Sequence, residues 1–454
     1  MFTGLKSQYD FGHAFLGKIL SEDHDLVKLK SVINWKRINS IYETCFSSDR
    51  GNSTKPTELV VGLILLRHFL RKPDRVLIEE LQVNLAMMNF CSVSPWEVAE
   101  YKERGEKLID HSTLVKVRKR LGSKRLKKIE KMFVRQLRGK GLISGKHLFC
   151  DTTSVEKNII YPTEVSLLRR VIECAEMVRQ KVIKKKDMVK TQIIKRANGI
   201  SKVYYSASAK NAQLLESTSR ALLKLAQGAC GEAQRVFRES GKVRREALHV
   251  HYERLQRVGK QIVEQVERKL NGEKVTDRIV SFFEDHARAL PKGKVHRPCE
   301  FGVKLRLDMV DGGYICNWRL YTGNPADVGM LQEAVGQHAQ VFGEEFEGAA
   351  LDRGFYDEEK IEELERTHEI ELAIPHRRDR TTVLQGKKAR LYRRRSAEEA
   401  KISEGKRMVG LGKSYYKGFE GDEIWSSLSI LALNSRQLLR DMRRNPQIYD
   451  VPTG

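Results

Sequence analysis

Nowhere does this 454-residue sequence run uncharged for the roughly 18 to 20 residues that a bilayer-spanning helix requires. Its opening, MFTGLKSQYDFGHAF, also lacks the basic-then-apolar layout of a secretory signal, so the expectation is a soluble, cytosolic protein with no membrane partner. Cysteines are few and scattered (Cys45, Cys91, Cys150, Cys174, Cys230, Cys299, Cys316). None makes a C-x-x-C pair or stands near a histidine at zinc-ligand spacing, which excludes a disulfide scaffold and a zinc module and leaves reduced, mostly buried thiols. Acids are short of bases, 59 Asp+Glu against 83 Lys+Arg, for a formal charge of +24. An excess of that size implies a polyanionic partner, nucleic acid before an anionic membrane surface.

What is present divides into four stretches, and the length suffices for two or three domains. Up to about residue 140 the sequence reads as an all-helical N-terminal domain. PTELVVGLILLRHFL and RVLIEELQVNLAMMNF space apolar residues helically, with Pro56, Pro73 and Pro95 as breaks. Within DHSTLVKVRKRLGSKRLKKIEKMF, Asp110 and Ser112 are candidate N-caps. Leu114, Val117 and Leu121 mark one face, and Lys116, Arg118, Lys119 and Arg120 the other. A basic helix face of this kind suggests a helix–turn–helix that contacts DNA, and the excess persists through Lys124, Arg125, Lys127 and Lys128. Residues 145–165 hold a strand, FCD, read as the start of a catalytic domain. From 166 to 294 the chain turns long, basic and helical, with KVIKKKDMVK early and a stripe at Leu248, Tyr252, Leu255, Val258, Ile262, Val266 and Leu270 that fits a helical hairpin or coiled coil. Pro291 and Gly293 are expected to end this insertion. Residues 295–445 then resume the interrupted domain. Val303 to Met309 and Tyr314 to Tyr321 flank Asp311-Gly312-Gly313 as a hairpin, and strands ending near Asp352 and Ile374 alternate with helices. The order predicts a mixed α/β sheet with flanking helices.

Two strands, HLFCD and GAALD, are expected to end on aspartate, at Asp151 and Asp352. Strand ends in an α/β sheet form one rim, where such carboxylates converge. Carboxylates held close repel, and a hard divalent cation such as Mg²⁺ or Mn²⁺ relieves the repulsion. A third acid is expected from Glu398, Glu399 or Glu404. Two bound ions would then serve in-line phosphoryl transfer.

These blocks resemble those of DDE insertion-sequence transposases. The resemblance rests on Asp151 in DTTSVEKNIIYPTEVSLL, Asp352 in LDRGFYDEE, and Tyr392, Arg395, Glu399 and Lys406 in the spacing Y-x-x-R-x-x-x-E-x-x-x-x-x-x-K. PTELVVGLILLRHFL, DHSTLVKVRKRL, EFGVKLRL and GNPADVGML are similar to supporting blocks of the family, and the ISNCY-type elements look nearest. The resemblance implies an RNase H-like catalytic domain with Asp151 on the first strand, Asp352 after the fourth and Glu399 on a late helix. It selects Glu399 as the third acid and implies that Asp151, Asp352 and Glu399 hold two Mg²⁺ ions, with Mn²⁺ able to substitute. It also implies DNA contacts from Tyr392, Arg395 and Lys406. The partners implied are double-stranded DNA, as the element's terminal inverted repeats and target, and further copies of the chain as a homo-oligomer beside the bacterial nucleoid. One feature departs from several well-known members: the helical insertion lies between the two aspartates, and only 47 residues separate Asp352 from Glu399.

Two other functions share part of this pattern. A DNA-binding repressor or inactive relic would use the helical N-terminal part alone, and a metal-dependent nuclease would use the same acids without strand transfer.

Overall fold

The computed structural model describes residues 11–46, 54–183, 192–294, 297–377 and 383–449. The first ten residues of the opening segment and the basic run around 184–191 lie outside them. Helices come first: α1 (Phe11–Ile19), α2 (Asp25–Val32), α3 (Trp35–Glu43), α4 (Thr57–Phe69), α5 (Asp74–Leu81), α6 (Leu85–Phe90), α7 (Pro95–Glu103) and α8 (His111–Gly139). Their starts follow local chemistry. Ser94 and Glu97 form a reciprocal capping box on α7, with Pro95 in its first turn. Asp110 caps α8 by accepting the Ser112 N–H at 2.8 Å. Gly122, at φ 60°, kinks α8 and splits it into two halves.

The long strand β1 (Ser144–Lys157) follows, then α9 (Glu164–Ile183), α10 (Gln192–Ser206), α11 (Ala212–Glu239), α12 (Lys242–Arg254) and α13 (Lys260–Leu270). Next come β2 (Arg288–Lys294), β3 (Arg297–Asp311), β4 (Tyr314–Tyr321), α14 (Leu331–Phe342), β5 (Gly348–Leu351), α15 (Glu358–His368) and β6 (Glu371–Ala373). The last elements are α16 (Gly386–Arg394), α17 (Ser396–Glu404), the short β7 (Lys413–Ser414) and α18 (Gly418–Arg444). The mixed α/β character expected from the sequence is present, in two compact units.

The first unit comprises 1–155, 305–320 and 325–454, so it takes in the N-terminal helices together with most of the sheet. Its strands run in the order β4-β3-β1-β5-β6, with β7 also on β1. β1, β5 and β6 are parallel to one another. The β3–β4 hairpin turns through Gly312 and Gly313, whose φ values of 91° and 77° are those of a two-residue turn that matches strand twist. α18 is the central helix of the unit. Ile424, Trp425, Leu428, Ile430, Leu431 and Leu433 are buried around its whole circumference, and α4 and α8 pack along it.

The second unit comprises 156–304 and 321–324. The stripe from Leu248 to Val266, read as a helical hairpin or coiled coil, faces the inside of a helical core. Leu255, Val258, Ile262 and Val266 pack with Val171, Ile172 and Val178 of α9 and Leu222 and Ala226 of α11 in one core, and Tyr252 stacks on Phe237 at 3.7 Å. The helical stretch also stops earlier than expected, at Leu270. Gly272, at φ 82°, donates to Lys269 O and Glu273 to Arg268 O, closing the helix end. Pro291 and Gly293 instead sit in β2, antiparallel to β3, where the register shifts between Pro291 and Lys294; a proline is tolerated in a strand at such an irregularity.

Candidate active site

β1 does not end on Asp151, as the sequence suggested, but continues to Lys157. What stops at this point is its partner. The parallel pairing runs His147↔Gly348 through Cys150↔Leu351, and β5 ends there. Asp151 and Asp352 are therefore the next residue on each of two neighbouring strands, whose spacing is about 4.8 Å. In a parallel pair in register, matched positions share a face, which puts both carboxylates on one side of the sheet.

Each aspartate is tied down locally. Asp151 Oδ1 accepts the Thr152 N–H at 2.6 Å, and Asp352 Oδ1 accepts the Arg353 N–H at 2.7 Å as the cap of a short turn over Arg353–Phe355. Arg395, at the junction of α16 and α17, joins the acids: its guanidinium donates to Asp151 Oδ2 at 3.1 Å and to Glu399 Oε1 at 2.6 Å. Burial raises the Asp151 carboxyl to about 6. The Thr152 N–H and Arg395 oppose that rise, and the charges of Asp352 and Glu399 add to it. Like charges thus meet here and are held by one cation.

The acidic helix α17 offers neighbouring carboxylates in opposite settings. Glu399 is 59 % exposed and bound only to Arg395 among the described residues. Glu398 is fully buried, neither of its oxygens has a hydrogen-bond partner, and burial together with Asp151 and Asp308 holds its pKa well above the usual carboxylate range. Glu404 is engaged elsewhere, with Arg440 at 2.6 Å and Lys401 at 3.6 Å. Beneath β1, Arg306 and Asp308 pair at 2.9 Å and share Gln337 and Asn317 in a buried network.

Of the cationic and aromatic residues proposed from the sequence, Tyr392 lies under the Arg395 guanidinium at 5.3 Å from its ring centre. Lys406 falls in a π-helical turn, its methylenes against Gly412. Lys116, Lys119 and Arg120 are exposed on α8. Arg118, expected on the same basic face, is 4 % exposed. It donates to Asp74 at 2.6 Å and to the Tyr416 hydroxyl, and lies over the Tyr416 ring. It is a buried tie between α5, α8 and the turn before α18, and is not available to DNA. Sequence reasoning passed over Asp327, whose Oδ1 accepts the Thr152 hydroxyl at 3.1 Å and whose Oδ2 would lie 2.8 Å from a Cβ at residue 354, so a side chain there would have to displace the Asp327 carboxylate. Its sole signal was its position after the Gly323-Asn324-Pro325 turn. Arg353 is exposed and has no carboxylate partner among the described residues.

Among the described residues no three His, Cys, Asp or Glu side chains stand close enough to form a metal cage, and no helix is long and apolar enough to cross a membrane. No curated protein and no solved structure matches the chain. Residues 14–120 match the model of a family described as Transposase domain (DUF772), which makes the helices up to the first half of α8 similar to a transposase domain and points the chain towards that class of DNA-processing protein.

Proposed function

We propose that the chain is a transposase of the DDE type that binds the terminal inverted repeats of its element, cleaves the flanking DNA and joins the freed end to target DNA. The observation that carries this reading is the register of β1 and β5, which sets Asp151 and Asp352 side by side, with Arg395 connecting Asp151 to Glu399. The strand order β4-β3-β1-β5-β6 supports an RNase H-like sheet, because it puts Asp151 on the first strand of the unit, Asp352 directly after the fourth and Glu399 on a later helix. The transposase-domain match of residues 14–120 supports the same function independently of the acids.

The donor set fits a hard divalent cation in kind: every candidate ligand is a carboxylate oxygen, and the Asp151 carboxyl, raised chiefly by burial and further by the charges of Asp352 and Glu399, is a group whose charged form such an ion favours. Asp151, Asp352 and Glu399 would hold it on drawing together, with Glu399 released from Arg395, because as they stand no three acids among the described residues are close enough to form a cage. When bound, Mg²⁺ supplies activation of the attacking oxygen and stabilisation of the leaving one. The chain's own groups then have definable work. Asp151 and Asp352 are pre-oriented by their neighbouring N–H groups. Arg395 is a planar fork suited to a non-bridging phosphate oxygen pair once the acids are engaged elsewhere. Arg353, exposed beside Asp352, is a further candidate for a phosphate contact. In cleavage, water attacks phosphorus and a 3′-hydroxyl leaves. In joining, that 3′-hydroxyl attacks a target phosphodiester and displaces the target's own 3′-oxygen.

The test is divalent-ion-dependent strand transfer on a labelled duplex carrying the element's end, with Asp352→Asn and Asp151→Asn beside wild type. The expected result is joined product from wild type, at least about 10³-fold less from either variant, and near-unchanged duplex binding by all three. Cleavage without joining would replace the reading by a nuclease, and binding without either reaction by a repressor or relic.

A further inference from the structure

We propose that the first unit carries a second, non-catalytic DNA-docking groove between α3 and the second half of α8, in which Arg37, Lys128, Lys131 and Arg135 bind the phosphate backbone of duplex DNA. This rests on the transposase reading above; the sequence pattern carries the basic excess as far as Lys128, and the groove adds Arg37, Lys131 and Arg135 to it and gives the contact a shape. The groove is open, about 1100 Å³ in volume, and lined by Arg37, Ser40 and Thr44 on one wall and Lys128, Lys131 and Arg135 on the other; no acidic side chain lines it.

Three observations favour a duplex over other anions. First, the cations are free to be neutralised from outside: Arg37, Lys128, Lys131 and Arg135 are all exposed, and none pairs with a carboxylate among the described residues. Second, they form a line. Beyond the Gly122 kink, Lys124, Lys128, Lys131 and Arg135 recur every three or four residues, so they share one face of α8. At 1.5 Å per residue the stripe is about 16 Å long. A DNA strand offers one phosphate per 3.4 Å of axis while winding around it, so a straight stripe of this length meets several backbone phosphates of a duplex. A single small anion has no use for such a length. Third, the surroundings lack what other polyanion-bearing partners use. Ile41 and Met132 line the groove but are half-buried, and among the described residues no aromatic or other large hydrophobic side chain is exposed between residues 34 and 44 or 124 and 140. A membrane-seated helix needs an apolar face and single-stranded nucleic acid needs stacking rings.

The first half of α8 contrasts with this surface. There Arg118 is buried against Asp74, and only Lys116, Lys119 and Arg120 of the basic run remain exposed. The kink at Gly122 breaks the helical phase between the two halves, and the facing wall comes from α3, about 90 residues earlier, so the periodicity of α8 alone could not define the groove.

The experiment is fluorescence anisotropy of the full chain with a labelled duplex of arbitrary sequence, over a series of salt concentrations. The groove variant is Lys128→Ala, Lys131→Ala, Arg135→Ala; the charge-matched control is Lys18→Ala, Lys102→Ala, Lys107→Ala. Each lost phosphate contact takes about 0.9 from the slope of log affinity against log salt. The groove variant should therefore be flatter by about 3 and bind about 100-fold more weakly near 0.1 M salt, with the control close to wild type. The single change Lys131→Glu, at an exposed position that leaves the core untouched, should weaken binding in the same direction. A wild-type slope in the groove variant would overturn the groove and leave the transposase reading standing if Asp352-dependent joining persists. Salt-dependent binding absent from wild type, together with no joining, would mean that the functional reading itself had failed. Tighter groove-dependent binding to duplex RNA or to phosphatidylserine vesicles than to DNA would overturn the assignment of the occupant.

Discussion

Glu398 and Glu399 are adjacent in sequence yet opposite in circumstance, and that difference predicts what each does. The buried Glu398 has two unpartnered oxygens, and burial, Asp151 and Asp308 push its pKa well above the usual carboxylate range, favouring its neutral form. Glutamine is close in size to a neutral glutamic acid, so Glu398→Gln should keep cleavage within about threefold of wild type and leave thermal stability nearly unchanged. Glu399→Gln removes the acid that Arg395 presents beside Asp151 and should reduce single-turnover cleavage by about 10³-fold or more. The reverse ranking would transfer the third-acid role to Glu398. A second residue contributes to the acid sensitivity of the fold. His68 on α4 is fully buried, with Nδ1 3.0 Å from Ser429 Oγ and its ring against Trp425, and burial lowers its pKa to about 3. Between pH 6.5 and 3 the unfolded imidazole is protonated and the folded one is not. The unfolded state therefore binds more protons, and stability falls as pH falls, by at most about 1.4 kcal/mol per pH unit. His338, lowered to about 4 by burial, acts in the same direction. Urea midpoints measured at pH 7 and 5 should drop by less in His68→Phe than in wild type; an equal drop would place the acid sensitivity elsewhere.

At the level of elements, one polar side chain does the work of a missing strand. β4 lies at the sheet edge, and Asn434 of α18 completes it by accepting the Ile315 N–H at 2.9 Å and donating to the Ile315 carbonyl at 2.8 Å. Both Asn434 and Ile315 are 2 % exposed, so removing the amide strands two buried backbone groups. Asn434→Ala should cost about 2–4 kcal/mol in denaturant unfolding; a loss under about 0.5 kcal/mol would mean that the edge is satisfied by other means. Elements whose cause is local were legible in the sequence. Asp110 caps where expected, Gly312-Gly313 turns the hairpin, and the apolar strand before each aspartate is real. What escaped depends on contacts between distant residues. Helical spacing assigned Arg118 to a solvent face, but its charge partner Asp74 lies 44 residues earlier. Asp327 meets Thr152 across 175 residues. Pro291 looked like a helix stop because the strand that accommodates it comes from elsewhere in the chain. Register, which brings Asp151 level with Asp352, likewise became visible only once the strands were paired.

For the molecule as a whole, the two units differ in whether they can be separated from the rest of the chain. The helices before β1 are not a detachable module, because Leu63, Ile64 and Leu66 of α4 and Leu121, Leu126 and Ile129 of α8 are buried in the unit whose central helix, α18, lies near the other end of the chain. A chain starting at Gly141 would expose that apolar surface and should be insoluble, which makes point variants the proper probe of DNA contact. The second unit is different. α9, α11 and α13 enclose a core of their own, from Val165 through Ala226 to Val266, closed by Ile279 and Phe282. Gln265 pins the chain after α13 by exchanging hydrogen bonds with the Ile279 backbone at 2.9 and 3.0 Å. A chain of about 125 residues can bury enough surface to fold alone. The excised segment 160–286 should therefore be soluble and strongly helical, and should unfold in one cooperative thermal transition followed by far-ultraviolet circular dichroism. A gradual loss of ellipticity without a transition would show that this core depends on the rest of the chain, and the insertion would then be an extension of the first unit's fold and not a unit in its own right.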